Sequence, residues 1–288
     1  MRKIILFSFR LLNMTKNIKV LYISQEITPY LPETEIASIS RKLPQATQEK
    51  GREIRTFMPK YGCINERRNQ LHEVIRLSGM NLIIDDSDHP LIIKVASIQS
   101  ARMQVYFIDN EDYFPRRNPN GDLYCDTNFL DFDNNEERCI FFIRGTLETI
   151  KKLRWTPDII HCHGWITSLT PLYIKKAYND EPFFKDSKLI LSIYDNEFPE
   201  TFSPSFSDKL LLSGIEKKDL SSIEKNANYE SLSKLAIDFS DGIIQGSANV
   251  NNALLDYTTD SKKLFLPFQN EDTYIDAYND FYDQVMDL

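Results

Sequence analysis

The chain has 288 residues, a formal net charge of −8, a pI near 5.2 and 42% hydrophobic residues. This length and composition predict a folded protein with a substantial core and exclude a disordered or fibrous chain. The acidic balance argues against a nucleic-acid-binding protein, because such proteins present a basic face to the phosphate backbone. No segment reaches the roughly 20 apolar residues that span a bilayer, so we expect a cytoplasmic protein that binds neither membranes nor nucleic acid.

The cysteines and the start of the chain indicate no metal site and no targeting signal. The cysteines are far apart in the sequence, at Cys63, Cys125, Cys139 and Cys162. They form no Cys-x-x-Cys pair, so we expect reduced thiols, no metal and no cofactor. Residues 1–16 contain an apolar run that Arg10 interrupts, and no small-residue cleavage site follows. We predict that residues 1–16 are disordered or are an extension upstream of a natural start at Met14.

The first predicted unit is a strand, a helix and a second strand. Residues 18–24 are mostly apolar and β-branched, which is typical of a parallel strand buried on both faces. Apolar residues recur at helical spacing over residues 36–47, and Gly51 follows where a helix would end. Residues 53–58 favour the next strand. The unit therefore predicts a right-handed crossover between parallel strands.

The middle of the chain is richer in strands. Turn residues separate four short segments with β-branched or alternating apolar residues, namely residues 71–77, 81–84, 91–98 and 103–108. We interpret them as hairpins inserted beside the parallel sheet. Residues 110–133 contain several Pro, Gly, Asn and Asp residues with little periodicity, which predicts a long exposed loop.

The second half alternates between helices and strands. Residues 134–153 form an amphipathic helix with acidic residues at its start and Lys151 and Lys152 at its end, as the helix dipole favours. Strands are predicted at residues 157–161, 189–194 and 242–245, and helices at residues 168–177, 231–239 and 249–257. These repeated units predict an α/β fold with a doubly wound, Rossmann-like parallel sheet, whose ligand sites lie at the carboxyl ends of the strands.

The last segment begins Leu-Phe-Leu-Pro-Phe at residues 264–268 and is predicted to continue as an acidic amphipathic helix. Over residues 264–287, one face carries the apolar side chains Tyr274, Ala277, Phe281 and Val285. We expect this helix to pack back on the domain. The predicted organisation is therefore an extension at residues 1–16, a main domain at 17–260 and a C-terminal helical segment at 261–288.

Two polar segments each follow a predicted strand. They are Gln-Glu-Ile-Thr-Pro-Tyr at residues 25–30 and His-Cys-His-Gly-Trp at residues 161–165. Further segments occur in the same chain order: Met-Pro-Lys-Tyr-Gly at 58–62, Tyr-Phe-Ile-Asp-Asn at 106–110, Asn135-x-x-Arg138, and Trp-x-Pro-Asp-Ile-Ile at 155–160. Over about residues 17–258 the chain resembles the N-terminal domain of bacterial glycogen synthases and plant starch synthases.

The resemblance implies a fold, a reaction and a site. It implies the N-terminal half of a GT-B glycosyltransferase, a retaining enzyme that transfers glucose from ADP-glucose to a growing glucan. In such two-domain enzymes the reaction takes place in the cleft between the domains, and this chain would supply one wall.

The first departure from the family pattern lies in the loop after the first strand. The family carries Lys-x-Gly-Gly there, because a nucleotide diphosphate needs a cation and backbone amides without a Cβ in the way. This chain has Pro32 at the lysine position and Thr34 and Glu35 at the glycines. Proline offers neither charge nor N–H, and Glu33 and Glu35 add negative charge where phosphates would lie. Pro32, Glu33, Thr34 and Glu35 therefore form a degenerate donor loop.

Two further signatures are altered. The family's His-x-His-Asp-Trp-His has Gly164 for the Asp and Ile166 for the last His, and its Thr-Val-His-Asn appears as Ser-Ile-Tyr-Asp at residues 192–195. The candidate sugar-cleft residues are therefore His161, His163, Trp165, Asn135, Arg138, Tyr194 and Asp195, and no intact catalytic residue is expected. Alternatives stay open for several of these residues. The two histidines can be imidazoles of the hydrophobic core, and Trp165 can serve only in packing. Arg138 can form an ion pair with Glu137 or Asp133 on the surface.

Three functional hypotheses follow. The first is a glycogen synthase-like protein of glucan metabolism that has no stand-alone glucosyltransferase activity and acts as a regulatory or glucan-binding module. The second is one half of a split ADP-glucose-dependent α-1,4-glucan synthase, with a separately encoded second domain as its partner. The third is an oligomeric scaffold that reuses the fold, with a second copy of the chain as the partner.

Overall fold

The structure is a computed structural model that describes residues 17–114, 134–199 and 201–287. The extension at residues 1–16 and most of the predicted loop at 110–133 lie outside these residues. The strands are β1 (Lys19–Ser24), β2 (Glu53–Pro59), β3 (His72–Glu73), β4 (Met80–Ile84), β5 (Ser87–Ile98), β6 (Met103–Asp109), β7 (Ile159–His163), β8 (Lys188–Ile193), β9 (Gly242–Gln245) and β10 (Leu264–Leu266).

Seven α-helices lie within the described ranges. They are α1 (Glu35–Glu49), α2 (Asn135–Leu153), α3 (Thr170–Lys175), α4 (Phe206–Lys209), α5 (Tyr229–Phe239), α6 (Asn252–Asp260) and α7 (Tyr274–Val285). None of them is long and apolar enough to cross a membrane. The long helix predicted at residues 134–153 is confirmed as α2, which has acidic residues in its first turn and lysines in its last.

The central sheet is doubly wound, as predicted. Seven parallel strands lie in the order β10-β9-β8-β7-β1-β2-β6, and β5 and β3 extend the sheet in antiparallel pairing. The predicted hairpin region thus forms one edge, and β4 pairs with β5 through a turn at Asp85 and Asp86, both with positive φ. After β1 the chain forms β2 and the strands beyond it on one side of β1, and β7 then pairs with the other side of β1. This switch point opens a crevice at the strand carboxyl ends.

Two predicted strands differ from the structure. Within residues 71–77 only His72–Glu73 is a strand, because the chain then turns and the N–H of Leu77 donates to the carbonyl of Val74 at 2.8 Å. The strand predicted at residues 157–161 lies two residues later, at Ile159–His163. Both histidines lie within the buried strand, although polar residues are more usual at strand ends.

The predictions for the end of the chain need two corrections. Residues 264–266, for which no strand was predicted within the C-terminal helical segment, form the edge strand β10, which is parallel to β9. In α7, Ala277 is only half-buried, whereas Tyr278 and Tyr282 are buried and were not predicted. The apolar face of the helix is therefore rotated from the predicted one.

The sheet is covered on both faces by separate hydrophobic clusters. The larger cluster packs α2, α3, α5 and α6 on one face. The other face of β1, β7, β8 and β9 packs against α7, with Leu43 of α1 beside it. Since parallel strands are hydrophobic on both faces, α7 covers surface that water would otherwise reach.

Helix α7 fits closely on the sheet because of one glycine. A Cβ at Gly242 would lie 2.9 Å from Cγ2 of Val285 and 3.0 Å from Cε1 of Phe281. Three ion pairs then link the C-terminal segment to α1 and the residues that follow it: Lys42–Glu271 at 2.7 Å, Lys50–Asp276 at 2.7 Å and Arg52–Asp283 at 2.6 Å. Arg52 is the least exposed of these cations, so this pair is screened least by solvent.

Truncation of Phe281 tests the importance of α7. Phe281→Ala removes a fully buried ring and should lower the free energy of unfolding by about 3–5 kcal/mol. Gln284→Ala, at an exposed position of the same helix, should change it by less than about 0.5 kcal/mol. Urea unfolding measures both, and limited proteolysis should cleave within α7 faster in the first variant. Equal stabilities of the two variants would contradict the assigned packing.

Candidate functional site

The crevice at the switch point is closed at its base by polar side chains. After β1 the backbone N–H of Gln25 donates to the carbonyl of His163 at 2.9 Å, which joins the ends of β1 and β7. The side-chain oxygen of Gln25 accepts from the N–H of Ile166 at 3.3 Å and from Asn196 at 3.4 Å. The buried amide of Gln25 thus links three of the segments that follow strands.

His161 and His163 lie inside the protein and not on the open wall of the crevice. Both are fully buried, and their ring centroids are 3.9 Å apart. His161 is hydrogen-bonded through Nδ1 to the hydroxyl of Tyr282 on α7 and through Nε2 to Ser192, both at 2.7 Å. Nδ1 of His163 is 2.7 Å from the hydroxyl of Tyr194, and its Nε2 has no hydrogen-bond partner within the described chain.

This burial keeps both imidazoles neutral. Loss of water lowers the pKa of His163 to about 3 and holds the pKa of His161 well below its usual value, with the neighbouring His163 adding to the effect on His161. Loss of water also raises the pKa of Tyr194 and of Tyr282, so their hydroxyls stay protonated. The cluster is a set of neutral hydrogen-bonding groups with no acid or base that titrates near pH 7.

Gly164 and Gly246 accommodate the altered signature residues. Gly164 has φ of +87°, and a Cβ there would lie 2.5 Å from the side-chain oxygen of Gln25. A Cβ at Gly246 would lie 2.5 Å from the ring of Tyr194. The Asp that the family has at position 164 would therefore be strained here, and the large ring at position 194 requires a glycine opposite it.

The degenerate donor loop forms a capped helix start. Thr34 is the N-cap of α1, and its hydroxyl accepts from the N–H of Ala37 at 3.0 Å and donates to Glu26 at 2.7 Å. Glu33 accepts from the hydroxyl of Ser38 at 2.9 Å, and Glu35 accepts from Ser247. Residues 32–35 are exposed. Side chains of the protein itself therefore occupy a helix N-terminus that could otherwise bind an anion.

The other predicted cleft residues are divided between the core and the rim. Trp165 is 4% exposed and packs against Phe198, with ring centroids 4.9 Å apart. Arg138 is buried, so the alternative in which it forms an ion pair on the surface does not hold. Its guanidinium donates to Asn135 at 2.6 Å and lies over the rings of Tyr61 and Phe114. The Asn135 amide and these two aromatic rings are thus among the partners of the cation inside the protein.

Asp195 is the predicted cleft residue that remains exposed on the rim. Its backbone N–H donates to the hydroxyl of Ser247 at 3.1 Å, and the same hydroxyl donates to Glu35. Thus the structure brings Glu35, Tyr194 and Asp195 to one rim, places the two histidines beneath it, and holds Asn135 and Arg138 on a separate helix.

A cavity of about 320 Å³ lies over the start of α1, and sequence reasoning missed half of its wall. Glu33, Glu35 and Ser38 line one side, and Phe268 and Tyr274 of the C-terminal segment line the other. The buried hydroxyl of Tyr274 has no hydrogen-bond partner within the described residues, and Phe268 is 38% exposed. The signal that could have indicated this wall is the aromatic residue that follows Pro267 in an otherwise acidic segment.

The family follows from comparison with known proteins. A family model for the starch synthase catalytic domain matches residues 19–262. The chain belongs to this family. Glycogen synthase of Chlorobium luteolum is 43% identical over 180 residues, which are 62% of this chain and 36% of that protein. Glycogen synthase of Chlorobaculum parvum is 35% identical over 223 residues, which are 75% of this chain and 45% of that protein.

A solved member of the starch synthase family shows the same fold. The catalytic domain of starch synthase IV from Arabidopsis thaliana, bound to ADP and acarbose, matches with a TM-score of 0.71 at 21% identity. The match covers 88% of this chain and 52% of that one. The fold is therefore that of a GT-B glycosyltransferase, and this chain spans less than half the length of the two curated glycogen synthases.

The buried imidazoles should make the fold sensitive to acid. The pKa of His163 is about 3 in the folded protein against about 6.5 in an unfolded chain, so the unfolded state binds more protons between these values. The free energy of unfolding should therefore fall as the pH drops below about 6.5, by up to roughly 1.4 kcal/mol per pH unit for each such histidine.

Urea unfolding between pH 5 and 6.5 checks this sign and slope. In His163→Gln, the slope of the free energy of unfolding against pH should be smaller than in wild type by the contribution of one histidine, which is up to roughly 1.4 kcal/mol per pH unit. Cys162→Ala is the control on the same strand, because burial raises the pKa of this thiol to about 12 and it stays neutral. The control should lower stability equally at every pH. The imidazole assignment fails if wild type and His163→Gln have the same slope.

Proposed function

We propose that this chain is a glycogen synthase-like protein of glucan metabolism that has no stand-alone glucosyltransferase activity and acts as a glucan-binding or regulatory module. The observation that carries the proposal is the start of α1, where Thr34 caps the helix and Glu33 and Glu35 replace a phosphate-binding loop. A diphosphate brought to this point would meet carboxylates and would have to displace the capping hydroxyl.

The charges around the loop support this proposal. Glu33 and Glu35 line the cavity together with Glu271, and the lysine in the same wall, Lys42, is paired with Glu271 at 2.7 Å. The described lining residues therefore carry more negative than positive charge. Since each carboxylate repels phosphate oxygens, the electrostatic field at this wall opposes a nucleotide diphosphate.

The histidines support the same conclusion. In the family the last His of the second signature lies near the reacting sugar, and here Ile166 is fully buried in the hydrophobic core. His161 and His163 are neutral, buried and hydrogen-bonded to tyrosines. A group that is out of reach of the substrate and does not titrate near pH 7 is unsuited to proton transfer.

The cavity wall suits a neutral carbohydrate better than a nucleotide. Phe268 presents an aromatic surface that can pack against a sugar ring, and the carboxylates of Glu33 and Glu35 accept hydrogen bonds from hydroxyl groups. Acarbose is bound, together with ADP, in the starch synthase IV structure that shares this fold. On this basis we assign the binding role to a glucan.

Activity and binding measurements on the purified chain test the proposal. With ADP-glucose and glycogen, no transfer of glucose is expected above a blank without protein. Calorimetric titration should detect maltoheptaose, and ADP at millimolar concentration should not compete with maltoheptaose for the cavity at the start of α1. Transfer of glucose by the chain alone would refute the proposal. Transfer only after a native extract is added would favour the split synthase, and a stable oligomer that binds neither ligand would favour the scaffold.

Restoring the donor loop should restore nucleotide affinity. The triple variant Pro32→Lys, Thr34→Gly and Glu35→Gly introduces a cation, removes a carboxylate and opens the backbone. ADP binding should tighten by at least about tenfold, or roughly 1.4 kcal/mol. The control is Glu224→Lys, which makes the same change in net charge at a distant exposed position and should leave ADP binding unchanged. An equal gain in both variants would show an effect of net charge alone.

A further inference from the structure

A polar groove of about 450 Å³ lies at the amino ends of the strands, whereas the crevice lies at their carboxyl ends. Three arginines line it: Arg52 just before β2, Arg55 within β2, and Arg102 just before β6. Gln48, Gln104 and Tyr106 add side chains that can form hydrogen bonds. The clustering of three guanidinium groups is notable in a chain with a net charge of −8.

Arg55 is held in place without a carboxylate. One terminal nitrogen donates to the hydroxyl of Tyr106 at 2.8 Å, and the guanidinium lies 5.1 Å from the ring centroid of Trp155. Trp155 is fixed in turn, because its ring N–H donates to Glu53 at 2.5 Å. No ion pair joins Arg55 to any described residue, so this preorganised cation keeps its capacity to bind an anion.

The other two arginines complete a basic surface. Arg102 is exposed, takes a left-handed backbone conformation with φ of +51°, and has no ion pair within the part of the chain that the structure describes. Arg52 donates to Asp283 of α7 at 2.6 Å. The acidic lining residue, Glu53, is already engaged by Trp155. Among the described residues around the groove, the three arginines outnumber the two carboxylates, Glu53 and Asp283.

We propose that this groove binds a small phosphorylated metabolite. Guanidinium groups bind phosphate oxygens in pairs, and their planar shape favours phosphate over a simple halide ion. A volume of about 450 Å³ is within the range of small-molecule sites and exceeds what inorganic phosphate needs. The phosphate contacts Arg55 and Arg102, and Gln48 and Gln104 contact the hydroxyl groups of the attached sugar. The site is independent of the glucan role.

The ion pair between Arg52 and Asp283 allows a second test, in which a substitution should strengthen phosphate binding instead of weakening it. A carboxylate beside the groove repels a bound phosphate and competes for Arg52. Asp283→Asn removes that competition while it keeps a side chain of similar size at a partly exposed position. Phosphate ligands should therefore bind more tightly to this variant.

Calorimetric titration of the full chain at low ionic strength tests the site with three probes: inorganic phosphate, a hexose 6-phosphate and adenosine monophosphate. Wild type should bind at least one organic phosphate with a dissociation constant of 1 mM or tighter. Arg102→Gln should weaken that binding at least tenfold, Arg55→Lys should weaken it similarly, and Asp283→Asn should tighten it about threefold. Circular dichroism verifies that each variant is folded.

Arg76→Gln is the matched control, because Arg76 is exposed and lies outside the groove. It makes the same charge change as Arg102→Gln and should leave the affinity within twofold of wild type. The three probes separate the sources, since inorganic phosphate supplies the phosphate alone, the hexose phosphate adds a six-carbon sugar, and the nucleotide adds ribose and a base. The proposal is overturned if wild type binds none of the probes, or if Arg76→Gln and Arg102→Gln weaken binding equally.

Discussion

The hydrogen bond between His161 on β7 and Tyr282 on α7 joins the centre of the sheet to the end of the described chain. It is part of a buried series that continues from Tyr282 to Tyr22 at 3.2 Å and from Tyr22 to Thr47 at 2.8 Å. Polar groups cost free energy in a dry interior unless they are paired, and the observed placement of α7 pairs the members of this series. Hydrophobic burial provides the stabilisation of α7, and the hydroxyls and the imidazole determine its register.

The same constraint shapes the rim of the crevice. His163 continues the line of inward-facing residues on β7, and its partner is Tyr194, the residue that replaces a family histidine. The ring of Tyr194 needs the empty space at Gly246. The altered signature positions are therefore a mutually adjusted set that packs well, which differs from an active site that has simply lost single residues.

Much of the fold could be predicted from local patterns, because buried parallel strands are rich in β-branched residues and α2 has a clear apolar face. The strand β10 could not, since three apolar residues before a proline resemble the start of a helix as much as an edge strand. The burial of the histidines was one of the alternatives that the sequence left open, but the hydrogen bond from His161 to Tyr282 could not be predicted, because the two residues are 121 positions apart in the sequence. The arginine groove depends on the sheet order that brings Arg55 and Arg102 together.

The two proposed sites lie at opposite ends of the strands and have linings of opposite charge, and this distribution separates the proposed roles. At the carboxyl ends, Glu33, Glu35 and Glu271 surround the start of α1, where a doubly wound fold usually binds phosphate. At the amino ends the arginines collect instead. Because electrostatic fields decay over about 8–10 Å at physiological salt, the charges of each site act mainly on the ligand bound at that site. The acidic site at the carboxyl ends of the strands favours neutral, hydroxyl-rich molecules, and the basic groove at their amino ends favours anions. The proposed glucan and phosphate sites can therefore be occupied together.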